Sequence, residues 1–339
     1  MTAQDDLFGS RLKEGEEYVD ALGIPHTPGC PIIVCYGSGV DSTAMLVAMK
    51  REGIIPDLIM FADTGGEKPS TYSYCRQISK WLQSWGAPSV TWVKRKPSPR
   101  VTYTDLEGNC LDNETLPSLA FGMHSCSLKW KVDPQDQYLK GVSRGPNKRH
   151  GWQPALEAWA AGMKPVKLIG YDNGPADLRR RKRAITEDDH FRYHFPLQVL
   201  GWGRKECIQA IVEEGLPVPV KSACFFCPAM KQWELWELSA TSPDLLLRAL
   251  KIERNALEGR HSRWDEVKFG ASWWDYIKDS KRFPSEAQAG LGRSLSWNQW
   301  AVTNGVVDLD GNYIGDRETC LAKAAELRGD DNALDRRAA

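Results

Sequence analysis

The 339-residue chain has no formal net charge, no long apolar run, no internal repeat and no low-complexity tract. Each absence excludes something. Neutrality removes any argument from net charge for a nucleic-acid or membrane partner, so only the local distribution can speak to one. No segment approaches the roughly 20 apolar residues of a membrane span. Met1 to Asp20 lacks the apolar core of a signal peptide. The expectation is a cytoplasmic protein with no membrane partner. The nine cysteines are odd in number and without framework spacing, which speaks against a secreted disulfide scaffold and for reduced thiols, some of them candidate ligands.

What is present is a chain with 42% hydrophobic residues, long enough for one large domain with a full core plus an appendage. Residues 31–36 are a short apolar run, followed by a Gly/Ser turn and a helical stretch from Ser42 to Lys50. Asp57 to Ala62, Ser89 to Lys94 and Pro165 to Gly170 read as further strands, with helical character over Pro69 to Trp85 and Gly203 to Gly215. Strands separated by helices imply βαβ units. The predicted fold is therefore α/β, a Rossmann-like parallel sheet with helices on both faces, plus a C-terminal helical extension. Ligands of such sheets sit at the carboxyl ends of the strands.

Residues 97–113 and Gly141 to Gly151 read as loops. Helices are expected around Gln232 to Glu258, and Asp310-Gly311 between alternating apolar residues predicts a hairpin turn. The tail after Leu327 is expected to fray. The domain reading is an N-terminal segment over 1–28, a nucleotide-binding catalytic domain over 29–230, a Trp-rich extension over 231–327 and a tail over 328–339. The tryptophans Trp264, Trp273, Trp274, Trp297 and Trp300 read as core or as a partner-binding face.

A Gly/Ser loop between a buried strand and a helix lets successive backbone N–H groups converge on a phosphate, helped by the helix dipole. Gly37-Ser38-Gly39-Val40-Asp41-Ser42 is such a loop. It has no Walker lysine and is not a Gly-x-Gly-x-x-Gly turn.

The same hexapeptide resembles the PP-loop of the adenine nucleotide alpha-hydrolase superfamily, usually Ser-Gly-Gly-x-Asp-Ser, with the first two positions changed. Further segments resemble the phosphoadenosine phosphosulfate (PAPS) reductase-like branch. They are Phe61-Ala62-Asp63-Thr64-Gly65 with Glu67 and Thr71-Tyr72, then Cys126 to Pro134, Tyr193 to Trp202, and Cys224-Phe225-Phe226-Cys227-Pro228. The resemblance implies that Gly37, Ser38, Gly39, Val40, Asp41 and Ser42 hold the phosphates of ATP or PAPS, with Asp41 near Mg²⁺ or the triphosphate. It also implies that Asp63, Thr64 and Gly65 border the nucleotide, and that Lys129 and Arg180 neutralise phosphate or sulfate. The family's Gly-Ile-Arg-x-x-Glu-Ser segment is only loosely matched by Gly170-Tyr171-Asp172.

Cys224-x-x-Cys227, with Cys126 as the partner the resemblance implies, suits zinc or an iron–sulfur cluster. Where cluster-carrying relatives have a Cys-Cys pair, this chain has Cys126-Ser127, which leaves Cys207, a histidine or an open iron for the fourth position. The expectation is a 4Fe-4S cluster on Cys126, Cys224 and Cys227, with structural zinc or a buried reduced pair as the alternatives. Cys30, Cys35, Cys75 and Cys110 read as packing residues.

The resemblance implies an ATP pyrophosphatase or sulfurtransferase that adenylates an acceptor for thiolation, with a nucleic-acid substrate and a sulfur-donor protein as partners. The stretch Phe121 to Arg183 carries an excess of roughly eight positive charges. Basic loops at Lys94 to Arg100 and Lys140 to Arg149, with Trp92 and Trp152 interleaved, would suit such a polyanion. A PAPS reductase is the alternative, but Glu318-Thr319-Cys320-Leu321 lacks the Gly and His of that family's nucleophile segment. A noncatalytic binding module is the third reading.

Overall fold

A computed structural model describes residues 17–121, 124–258, 290–292 and 296–337. Trp264, Trp273 and Trp274 lie outside the described residues. Short strands β1 (Tyr18–Val19) and β2 (Pro25–His26) pair antiparallel. The remaining strands are β3 (Ile32–Cys35), β4 (Leu58–Asp63), β5 (Val90–Lys94), β6 (Val166–Ile169) and β7 (Arg192–His194). The longer helices are α1 (Val40–Arg51), α2 (Pro69–Ser84), α3 (Leu106–Asp112), α4 (Asp133–Lys140), α5 (Gln153–Ala160), α6 (Pro175–Arg181), α7 (Arg204–Glu213), α8 (Gln232–Thr241), α9 (Pro243–Glu258), α10 (Trp297–Thr303) and α11 (Arg317–Arg337).

The chain divides into two compact units that are interleaved along the sequence. The first comprises residues up to Asp63, Lys68–Lys94 and Val132–Ser222; the second comprises Thr64–Glu67, Arg95–Lys131 and Ala223 onward.

In the first unit a five-stranded sheet has the order β5-β4-β3-β6-β7, and every pairing in it is parallel. The expected parallel α/β sheet is therefore present. The apolar runs form strands because both faces are covered. On one face Leu46, Ile59, Leu168 and Ile211 belong to a single core; on the other, Ile33, Met60, Val93 and Phe191 form a second. Helix α1 is buried from Ser42 to Met49, which fixes its position and hence that of the loop before it. Lys167 interrupts the apolar pattern of β6, yet it is buried. Its Nζ lies 2.6 Å from Asp136 Oδ1 on α4 and 3.7 Å from the centre of the Phe191 ring. A paired charge with an aromatic face can be accommodated in a core where a lone one cannot.

The second unit is helical around Leu106, Trp130, Phe225, Phe226, Leu246, Leu250, Trp297 and Trp300. Trp297 and Trp300 are thus core residues. The 97–113 loop expectation needs correction, because Leu106–Asp112 is a helix. Asp105 caps it by accepting from Gly108 N at 2.8 Å, and Leu106 and Cys110, one turn apart, bury one face. Helix α11 continues to Arg337. The hairpin is present, with Val307 bridged to Tyr313 and Gly311 at φ +85°. Among the described residues no helix is long and apolar enough to cross a membrane.

Candidate functional site

The strand order places a topological switch point between β3 and β6: the chain leaves β3 toward β4 and β5 on one side, then returns to β6 and β7 on the other. In open parallel sheets the crevice at that point, outside the carboxyl ends of the strands, receives the ligand. Gly37 to Ser42 lies there, joining the end of β3 at Cys35 to α1.

The backbone N–H groups of Gly37 and Gly39 both donate to Ser42 Oγ, at 3.2 and 3.3 Å. Loop amides aimed at one oxygen form an anion-binding concavity. Ser42 Oγ and Thr43 Oγ1 in turn donate to Gly39 O. Ser38 has φ +58°, a left-handed conformation that a side chain adopts at a cost of order 1 kcal/mol. Its hydroxyl donates to Thr71 O at 3.3 Å and the residue is 1% exposed, which ties the loop to the first turn of α2. Among the described residues Thr71 Oγ1, which is buried, has no hydrogen-bond partner.

On the far side of the switch point, the carboxyl end of β6 meets the loop. A Cβ at Gly170 would lie 2.9 Å from both Ser42 N and Ser42 Cα. Beyond it, Gly174 N donates to Asp172 Oδ1, and Arg180 reaches back to Asp177 Oδ1 at 2.6 Å. Asp41, in the first turn of α1, pairs with Arg204 of α7 at 3.0 Å. Burial raises the Asp41 carboxyl above its ordinary range and Arg204 pulls against that, while the charges of Asp172 and Asp177 add to the rise. Arg204 was not singled out from the sequence. Its only signal was its place two residues after Trp202, the last residue of a recognised segment. Asp63 ends β4, where its carboxylate accepts from Tyr72 OH at 2.7 Å, and Tyr72 stacks on Trp92.

Thr64, Gly65 and Lys129 belong to the second unit. Gly65 has φ +76°, and a Cβ there would sit 2.3 Å from Asp105 Cβ, so glycine is required. Thr64 Oγ1 lies 3.2 Å from Cys224 Sγ. Lys129 lies over the Trp130 ring, and its carbonyl accepts from Arg95. Burial, with the nearby Arg95 charge, holds the Lys129 ammonium below its ordinary range.

The cysteines are placed differently from the expectation. Cys224 and Cys227 form a turn in which Cys227 N donates to Cys224 O at 3.0 Å. Beside it, Lys131 Nζ pairs with the buried Glu67 at 2.9 Å. Cys207 is a core residue of the first unit, fully buried on α7, and burial pushes its thiol up to about 12. Packing in this core accounts for its placement. Among the described residues no three His, Cys, Asp or Glu side chains are grouped so as to hold a metal ion. Cys126, Cys224 and Cys227 do not fit a cluster or a zinc ion as arranged here. Cys320 is 1% exposed in the core of the second unit, a placement unlike that of a mobile nucleophile. With iodoacetamide near neutral pH, we expect Cys126 to react in the native protein, whereas Cys110, Cys207, Cys224 and Cys320 should react only on unfolding. Peptide mass mapping checks this, and native labelling of Cys207 or Cys320 at the rate of Cys126 would contradict it.

No protein-family model matches the chain, and no curated protein matches it.

Proposed function

We propose that the chain is an ATP-using PP-loop enzyme of the PAPS reductase-like type. In this reading Gly37 to Ser42 holds the phosphates and the enzyme adenylates an acceptor, a nucleic acid, for sulfur transfer. The observation that carries the reading is the position of the loop: converging amides at the start of a buried helix, at the switch point of a parallel sheet. The order of the family-like segments supplies the chemistry.

An acceptor oxygen attacks the α-phosphorus of ATP, the bond to the bridging oxygen breaks, and pyrophosphate leaves with the charge that develops. The amides of Gly37 and Gly39 and the hydroxyls of Ser42 and Thr43, exchanging their bonds within the loop for bonds to the phosphate, would stabilise that charge together with the N-terminus of α1. A nucleotide-borne Mg²⁺ needs only one or two protein carboxylates. Asp41, with oxygen donors and Asp172 nearby, fits that requirement and would hold it; the ion supplies Lewis-acid stabilisation when bound. Sulfur from a donor protein would then displace AMP from the activated acceptor. No step is assigned to an iron–sulfur cluster, because the cysteines do not form its ligand set.

The test is ATP-dependent pyrophosphate release by the intact chain and by Asp41→Ala. Release should fall by on the order of tenfold or more in the variant. Equal release would remove Asp41 from the site, and ATP binding without release in the unaltered chain would reduce the protein to a binding module.

A further inference from the structure

A cavity of about 420 Å³ opens beside the edge strand β7 in the first unit, lined in part by Arg181, Arg192, Tyr193, His194, Phe195 and Gln198. That volume is within the range of small-ligand sites. Its chemistry is that of planar stacking next to positive charge. Tyr171 and Phe195 stack with centroids 5.4 Å apart, and the Arg181 guanidinium lies 4.4 Å from the Phe195 centroid. Phe195 and Arg181, which touch one another, both line the cavity, and a guanidinium plane is a surface on which nucleobases stack.

The other lining charges are already matched. Arg192 pairs with Glu17, and Glu187, the acid at the cavity, pairs with Lys164 at 2.7 Å. The uncompensated character therefore comes from the α6 side, where Arg179, Arg180, Arg181, Lys182 and Arg183 are consecutive and Asp177 draws back Arg180. Polar groups for a base edge are present as well. Gln198 donates Nε2 to Asp172 O, leaving its amide oxygen to accept. Burial, with the Arg192 charge, holds the His194 imidazole below its ordinary range, and a hydrogen bond to the Gly23 backbone engages its N–H, so at neutral pH the other ring nitrogen is left to accept.

We propose that this cavity and the Arg179–Arg183 segment bind one nucleotide unit of a single-stranded nucleic acid, with the base stacked on Arg181 and the backbone phosphates along the basic end of α6. The proposal rests on the function proposed above only in that this strand would be the acceptor. A free nucleotide shares the same chemistry, so the experiment separates the two.

Fluorescence anisotropy of labelled single-stranded oligonucleotides is measured with the intact chain and with Arg181→Ala, Arg183→Ala and Lys80→Ala. AMP serves as competitor, and ATP binding is measured in parallel. Arg181→Ala should weaken oligonucleotide binding about tenfold and Arg183→Ala should lower the salt dependence by about one contact, while Lys80→Ala stays within about twofold. ATP binding by the Arg181 variant should be unchanged. Equal oligonucleotide affinity in Arg181→Ala overturns the proposal, as does displacement by AMP at concentrations that make it the better ligand. ATP binding with no oligonucleotide binding also overturns it, while leaving the phosphate-loop reading intact. Oligonucleotide binding that depends on Arg181 in a chain that binds no ATP would support this site and sink the loop reading.

Discussion

Gly170→Val should lower nucleotide affinity by about 100-fold, because the end of β6 has no room for a side chain against the Gly37–Ser42 loop proposed to hold the phosphates. A Cβ at this position would meet Ser42 N and Cα at 2.9 Å and Asp41 C at 3.1 Å. These are backbone atoms in the first turn of α1, and a backbone cannot rotate aside as a side-chain tip can. Helix α1 cannot retreat as a body either, since Ser42 to Met49 are all buried. Nor can β6 move outward without breaking its register with β3, where Ile169 faces Cys35. The strain must therefore be taken up at the N-terminus of α1, where the amides of Gly37 and Gly39 are aligned on Ser42 Oγ. Overpacking of this kind costs about 1–3 kcal/mol in stability, and loss of alignment by about 1 Å at a site of this type costs on the order of a hundredfold. Calorimetric titration with ATP, alongside thermal melting, separates the two effects. A variant that is folded and binds as the unaltered chain does would show that the loop is not the site.

Glu253→Ala should destabilise the second unit by about 3–5 kcal/mol, the largest stability effect we expect from one substitution. The carboxylate is 0% exposed. Its Oε1 accepts from Leu291 N at 2.7 Å and Trp297 N at 2.9 Å, while its Oε2 accepts from Ser296 Oγ at 2.8 Å, Asn298 N at 2.7 Å and Asn298 Nδ2 at 2.8 Å. It thus caps the start of α10, where the helix dipole also favours negative charge. Alanine leaves those donors buried without an acceptor. Glutamine keeps the volume but turns an NH₂ toward the same donors, and should cost about 2–3 kcal/mol. Urea unfolding followed by tryptophan fluorescence checks both, because Trp297 and Trp300 are in this core. A loss below about 1 kcal/mol for alanine would show that the donors find other partners.

The parallel sheet was legible because buried strands read as unbroken apolar runs of the length of Ile32–Cys35 and Leu58–Asp63. The strand-to-helix turn at Gly37 to Ser42 was legible because Gly, Ser and Asp cluster between such a run and a helix. What the sequence concealed depends on distant partners. Lys167 reads as a surface residue until Asp136 and Phe191 arrive from elsewhere in the chain. The Leu106–Asp112 helix was hidden by Gly108 and Asn109, residues common in loops, since only Leu106 and Cys110 report its buried face. Arg204 comes to Asp41 because α1 and α7 pack together, a pairing that no local pattern encodes. Cys207 looked available as a ligand because a cysteine in a sequence does not declare its burial. The cavity beside β7 is assembled from α6, β7 and the turn after it, and none of these alone suggests a pocket.

The central claim is that Gly37 to Ser42 is the phosphate site, and the most direct test is amide hydrogen exchange of the intact chain with and without Mg²⁺-ATP, resolved to peptides covering the loop. The account predicts that ATP slows exchange about tenfold or more at the loop and the first turn of α1, with a smaller effect around Gly170 to Asn173. Protection by ATP elsewhere, with the loop amides exchanging as they do in its absence, would contradict it.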